Sequence, residues 1–133
     1  MTLRVHTARL GYRGPDWLDV SLQGNMRRAK AGEDGGHRHI GLSFAPSPDL
    51  LYPFLSKRKF GGLTPEDWDR YVAGYTAEMR RSYRERPSEW KALLAQEHVV
   101  ILCFCTDAVH CHRRVLAGIL EKLGAVDEGE LSR

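Results

Sequence analysis

Residues 103–114 read Cys-Phe-Cys-Thr-Asp-Ala-Val-His-Cys-His-Arg-Arg and hold all three cysteines of the chain. A thiol is a useful nucleophile only as its thiolate, and positive neighbours or a helix N-terminus favour that form. Cys111 stands just ahead of a helical apolar pattern, with Arg113 and Arg114 following it. The partial positive charge of a helix N-terminus and both guanidinium groups then act on the same sulfur. His112 is the matching candidate proton carrier. Arg113, Arg114 and Thr106 form a candidate set for a phosphate-type anion, since charged donors and helix N-termini bind such groups. Asp19 joins Cys111 and His112 as a catalytic candidate because it stands at the carboxyl end of an earlier strand.

Metal binding is the other chemistry these residue types allow. Cys105, His110, Cys111 and His112 are soft and borderline ligands of the kind zinc accepts. Zinc is the less favoured reading. The stretch has no Cys-x-x-Cys pair, and neighbouring residues on a helix point in different directions. Cys103 reads as buried packing, because cysteine is among the most buried residue types. Nor is the segment a tyrosine-phosphatase loop: the place of that loop's arginine is held here by Ala117.

The elements that must position these groups follow from apolar periodicity. Val99 to Phe104 is a short apolar run rich in β-branched residues, the pattern of a parallel strand buried on both faces. It predicts a strand over 98–105. Val115, Leu116, Ile119, Leu120 and Leu123 recur at helical spacing, and Gly124 supplies the stop. A strand, a loop and a helix in that order place the reactive residues beyond a strand's carboxyl end, where open α/β sheets bind ligands.

Upstream, Leu3–Ala8 reads as a first strand, Gly11–Pro15 as a turn, and Trp17–Leu22 as a second strand. Residues 23–40 are glycine-rich and charged with little periodicity, and predict a flexible basic loop. Gly41–Ala45 reads as a brief extended piece. Ser47-Pro48-Asp49 and Thr64-Pro65-Glu66-Asp67 are two helix starts of the same kind: a cap, a proline at the first helical position and a first-turn acid. The first of these helices carries Leu50, Leu51, Phe54 and Leu55 and ends over Lys57–Gly62. The second sets Trp68, Tyr71, Val72, Tyr75, Met79 and Tyr83 on one stripe and stops at Pro87. Ser88 then reads as the cap of a short helix that turns Trp90, Leu93 and Leu94 inward.

Length and composition bound the rest. A chain of 133 residues, 42% of them apolar, predicts one domain over 1–133 with a real core. No apolar run is long enough to span a membrane, and Met1–His6 lacks a signal-peptide core. Three clustered cysteines argue against a secreted disulfide framework, and the expected compartment is the cytoplasm. A net charge of +3 suits anionic ligands without marking a dedicated nucleic-acid binder. Arg27, Arg28, Lys30, His37, Arg38 and His39 could contact phosphates, but no aromatic residues interleave with them as in single-strand binders. The fold class expected is α/β, a single compact domain with a mostly parallel sheet flanked by helices.

The order of these features is familiar. Leu102-Cys103-Phe-Cys-Thr-Asp107 followed by Cys111-His112-Arg113 resembles the domain-of-unknown-function 488 (DUF488, YeaO-like) family of bacterial proteins. Phe44-Ala-Pro-Ser-Pro-Asp-Leu-Leu51 is similar too, as is the helix Trp68, Tyr71, Tyr75 followed by Trp90 and Leu93-Leu94. The likeness covers about residues 40–124. Near the second strand, where that family often has Asp-Val-Arg, Asp19-Val20 is followed here by Ser21. The resemblance implies a compact α/β fold and names no reaction. The expected function is binding of an anionic partner with thiol chemistry at the last strand–helix junction. The partner would be a phosphorylated small molecule, a nucleotide or a nucleic-acid end. A non-catalytic nucleic-acid-associated regulator and a thiol or zinc sensor are the alternatives. Neither a cofactor nor an oligomeric state can be read from the sequence.

Overall fold

The computed structural model describes residues 2–9, 11–22, 24–26, 41–103 and 111–131. Four strands form one sheet: β1 (Arg4–Arg9), β2 (Trp17–Asp19), β3 (His98–Cys103) and β4 (Val126–Glu130). Their order across the sheet is β2-β3-β1-β4, and all three pairings are parallel. β3 therefore lies inside the sheet, and Val99 to Cys103 are all buried. This is the physical meaning of its unbroken apolar run.

Among the described residues, four helices have both ends in view: α1 (Pro48–Lys59), α2 (Pro65–Glu85), α3 (Pro87–Leu94) and α4 (His112–Lys122). One face of the sheet carries Leu3, Val5, Leu18, Val20, Val99 and Ile101. Tyr75 and Met79 of α2, Trp90 and Leu93 of α3, and Leu116, Ala117 and Leu120 of α4 close over that face. Ala8, Val100 and Leu102 point the other way, against Tyr12, Trp17 and Leu131. No helix among the described residues is long and apolar enough to cross a membrane.

Both helix starts form as the sequence predicts. Ser47 Oγ accepts from the backbone N–H of Leu50, and Ser47 also donates to Glu78 of α2. Thr64 and Asp67 make a reciprocal capping box: Thr64 Oγ1 takes the Asp67 N–H at 3.1 Å and Asp67 Oδ2 takes the Thr64 N–H at 3.0 Å. The inward stripe of α2 is Tyr71, Tyr75 and Met79, with Tyr83 left 45% exposed at its end. Gly124, at φ +109°, closes α4 in a conformation that suits glycine.

Several expectations need correction. β2 is only three residues long. Residues 41–43 form a 3₁₀ turn instead of an extended piece. Within the expected loop over 23–40, residues 24–26 are helical, while 27–40 lie outside the described residues. Pro87 opens α3 as well as ending α2, and Ser88 is not its cap: Arg86 holds that position without a side-chain bond. β4 had no counterpart in the sequence reading. Its sequence, Val-Asp-Glu-Gly-Glu, is polar because it is a sheet edge with an alternating exposed pattern.

Thr64→Ala is expected to cost about 1 kcal/mol of stability, measured by urea unfolding. The hydrogen bond from Lys57, and then that from the Thr64 backbone, hold the Asp67 carboxyl well below the usual carboxylate range. A lowered pKa stabilises the fold above the unfolded-state value, and that contribution is lost as the pH falls through the folded-state one. Asp67→Asn is therefore expected to flatten the rise of stability with pH below about pH 4.

Candidate functional site

Because all four strands run the same way, their carboxyl ends share one edge. Asp19 ends β2, Cys103 ends the described part of β3, and Glu130 ends β4. α4 begins at this edge. Its N-cap is Cys111, with φ −140° and ψ 141°, and no side-chain bond caps the helix. Cys111 is thus extended while His112 is already helical, and the chain turns between them.

That turn brings three ligand-type side chains together. Sulfur of Cys103, sulfur of Cys111 and a ring nitrogen of His112 all lie within 4.8 Å of one another, and all three residues are buried. Cys103 Sγ is 3.7 Å from each ring nitrogen of His112. His112 Nε2 lies 2.9 Å from the Val20 carbonyl oxygen. A carbonyl only accepts, so Nε2 carries a proton, and in the neutral ring Nδ1 is then the lone-pair nitrogen. Tyr75 stacks at a tilt on the His112 ring, 5.4 Å between centroids, and donates its own hydroxyl to the Phe44 carbonyl at 2.7 Å. Burial first, and then the charges of Tyr71, Cys103 and Cys111, raise the Tyr75 pKa well above its ordinary value. It stays a neutral phenol.

Arg113 is the one fully buried arginine among the described residues. Its Nε and one terminal nitrogen bond the two Glu130 oxygens at 3.1 and 2.8 Å, a fork-to-fork pair. Its other terminal nitrogen donates to Cys111 Sγ at 3.3 Å. Burial opposes the charge on Arg113, but the Glu130 carboxylate and the nearby Cys111 outweigh it and hold the group more firmly protonated than usual. For Glu130, burial pushes upward, while hydrogen bonds from Arg113 and Thr7 bring the net value below the ordinary one. Arg114 repeats the device one residue on, with bonds to both Asp127 oxygens and to Thr7 Oγ1.

Asp19 is fully buried and takes the backbone N–H of Ser21 at 2.8 Å. Asn25 ties the same turn down, donating to the Asp19 and Ser21 carbonyls, each at 2.7 Å. Gly41 closes over this turn. A Cβ there would fall 2.3 Å from the Asp19 carbonyl oxygen, so only glycine fits without movement.

The fold brings Asp19, Cys111, His112, Arg113 and Arg114 of the sequence candidates to one edge. Thr106, Cys105 and His110 lie outside the described residues. Two expectations change. Arg113, expected to face an anion, is turned inward, where the bidentate Glu130 carboxylate offsets the cost of burying its charge and its remaining arm meets Cys111. Cys103 is a member of the cluster as well as packing. The sequence reading missed Glu130, Thr7 and Asn25. Asp127 and Glu130 are acids three positions apart, and the register irregularity between them on β4 lets both meet the Arg113-Arg114 pair, which a regular strand would not.

The sequence matches the family DUF488-N3a, described as the active DUF488-N3 subclade, over residues 17–124. That is well over half of the chain, which therefore belongs to this family. No curated protein and no solved structure matches it.

Removing Glu130 leaves the Arg113 charge buried without its carboxylate. Glu130→Gln is expected to destabilise the fold by about 3 kcal/mol, and Glu130→Gln combined with Arg113→Met by much less than the two single changes added together. A double-mutant cycle of denaturant unfolding measures this. The carboxylate's contribution should be present above the ordinary glutamate pKa and lost as the pH falls below it, because the folded-state value is the lower one.

Proposed function

We propose that this DUF488-N3 member is a small enzyme whose nucleophile is the thiolate of Cys111, acting at the carboxyl edge of the sheet on an anionic substrate. The observation that carries this is the 3.3 Å hydrogen bond from Arg113 to Cys111 Sγ. A guanidinium donor beside a sulfur favours thiolate over thiol. Its carboxylate partner fixes the donor's direction, so the sulfur meets a preset charge. The N-terminus of α4 adds a field of the same sign. The family's own description as an active subclade agrees with an enzyme.

In this reading the other candidates take distinct parts. His112 carries a proton on Nε2 and sets its ring beside Cys103. Asp19 anchors the turn after β2 that holds the Val20 carbonyl against His112. Arg114, at the same helix start and 29% exposed, is the described arginine that could meet an anion by exchanging it against Asp127. Thr106 completes the anion set as a sequence candidate. The substrate class is a phosphorylated small molecule, a nucleotide or a nucleic-acid end, in keeping with the mild positive charge.

Alkylation by iodoacetamide, read by peptide mass, tests the reading. At neutral pH Cys111 is expected to react faster than Cys103. Inorganic phosphate should slow it. Arg113→Lys, which keeps the charge and loses the fork, should slow it severalfold. If Cys111 reacts only when the protein unfolds, the nucleophile reading fails.

A further inference from the structure

We infer that Cys103, Cys111 and His112 form a binding site for a soft or borderline divalent metal of the zinc class. Occupancy of this site would withdraw Cys111 from reaction with electrophiles. The effect on the thiol rests on the reading of Cys111 above; the binding does not.

Zinc is held by thiolate sulfur at about 2.3 Å and imidazole nitrogen at about 2.0 Å, so tetrahedral ligands stand roughly 3.5–3.8 Å apart. Cys103 Sγ already lies 3.7 Å from His112 Nδ1, and all three ligand atoms fall within 4.8 Å. The 4.8 Å bound exceeds the tetrahedral spacing by about 1 Å, and Cys103 Sγ is equally far from both ring nitrogens, so closing the set takes an adjustment of side chains without a change of fold. Divergence of adjacent residues on a helix speaks against zinc in the sequence. It does not apply here, because Cys111 is the extended N-cap and His112 the first helical residue. The third ligand comes from the end of β3.

The surroundings suit a metal as well. A ligating histidine usually donates its other N–H to a carbonyl or carboxylate, which fixes its tautomer. His112 does so toward Val20, which leaves Nδ1 as the ligating atom. Both sulfurs bind as thiolates, so binding releases a proton from each one that is still a thiol, and a divalent cation with two thiolates is neutral. The adjacent Arg113–Glu130 pair is also neutral, so the whole buried group carries no net charge. The Arg113 donor to Cys111 Sγ is the kind of outer hydrogen bond that supports a bound thiolate. Among the described residues three ligands converge, the donor set of zinc sites with two cysteines and one histidine, which keep a fourth position beyond those three.

The experiment uses the full chain after chelation and reduction. Cobalt(II) is titrated in and the thiolate-to-metal absorption recorded, zinc(II) is then added, and thermal unfolding is followed with and without zinc. One cobalt per chain with charge-transfer absorption is expected, displaced by zinc, together with a rise in melting temperature on zinc addition. Cys103→Ser and His112→Gln should each weaken binding about tenfold or more. His98→Gln, at the far end of β3, should not. Circular dichroism of each variant separates lost binding from lost folding, and the melting shift of the unaltered chain tests the site without any variant. Absence of the charge-transfer band, or a band that persists in folded Cys103→Ser, overturns the site. Alkylation of Cys111 is run in parallel. If the metal binds and blocks a reactive Cys111, both readings stand. If it binds and Cys111 is inert even without metal, the site stands and the nucleophile reading fails. If Cys111 is reactive and no metal binds, the site fails and the nucleophile reading stands.

Discussion

A guanidinium with no access to water must find its hydrogen-bond partners inside the fold, and the Arg113 position dictates much of what surrounds it. Burying a charge costs several kcal/mol unless a partner of opposite sign and good geometry meets it. Glu130 is that partner, and it is available only because β4 lies parallel beside β1. Thr7 of β1 bonds the same carboxylate, so the pair ties α4, β4 and β1 into one network. Arg114 and Asp127 form a second tie of the same kind one residue along. The polar edge strand is thereby held by charge where apolar packing would be thin.

The same arginine links stability to chemistry. Its third arm reaches Cys111, so the network that fastens β4 also sets the electrostatic surroundings of the one cysteine at a helix start. On the other side of the sulfur pair, His112 is fastened to the turn after β2 through the Val20 carbonyl, and that turn is fastened by Asp19 and Asn25. Neither side chain of the Cys111–His112 dipeptide is positioned by the helix alone. One is held from β4, the other from β2, and Cys103 meets them from the strand between β1 and β2.

Among the described residues every buried side-chain polar atom has a partner. A buried polar cluster in which each member is satisfied is rigid and specific, because any alternative arrangement leaves a donor or acceptor unmet. The His112 imidazole and the Arg113 guanidinium are held this way, and the sulfurs of Cys103 and Cys111 lie against them. This is the condition under which a thiolate or a metal ligand set is most effective.

The sequence by itself determined the elements whose causes are local. Ser47 and Thr64 cap α1 and α2 because their hydroxyl groups reach backbone N–H groups within three residues. The central place of β3 followed from its unbroken apolar run, and the inward stripe of α2 from its spacing. The last strand–helix junction was legible as the candidate site because strand, loop and helix are consecutive there. The tertiary structure decided what depends on distant pairing. β4 is too polar to show a strand pattern, and only its place beside β1 makes it one. The bond from Arg113 to Glu130, seventeen positions on, exists only once β4 is in place. Cys103 is buried packing as its residue type implies, but only the fold sets a second sulfur and an imidazole from the start of α4 beside it. In each case the reason is the same. Periodicity and capping are properties of neighbouring residues, whereas the neutralisation of a buried charge and the convergence of three ligands are properties of segments that meet only when the sheet has formed.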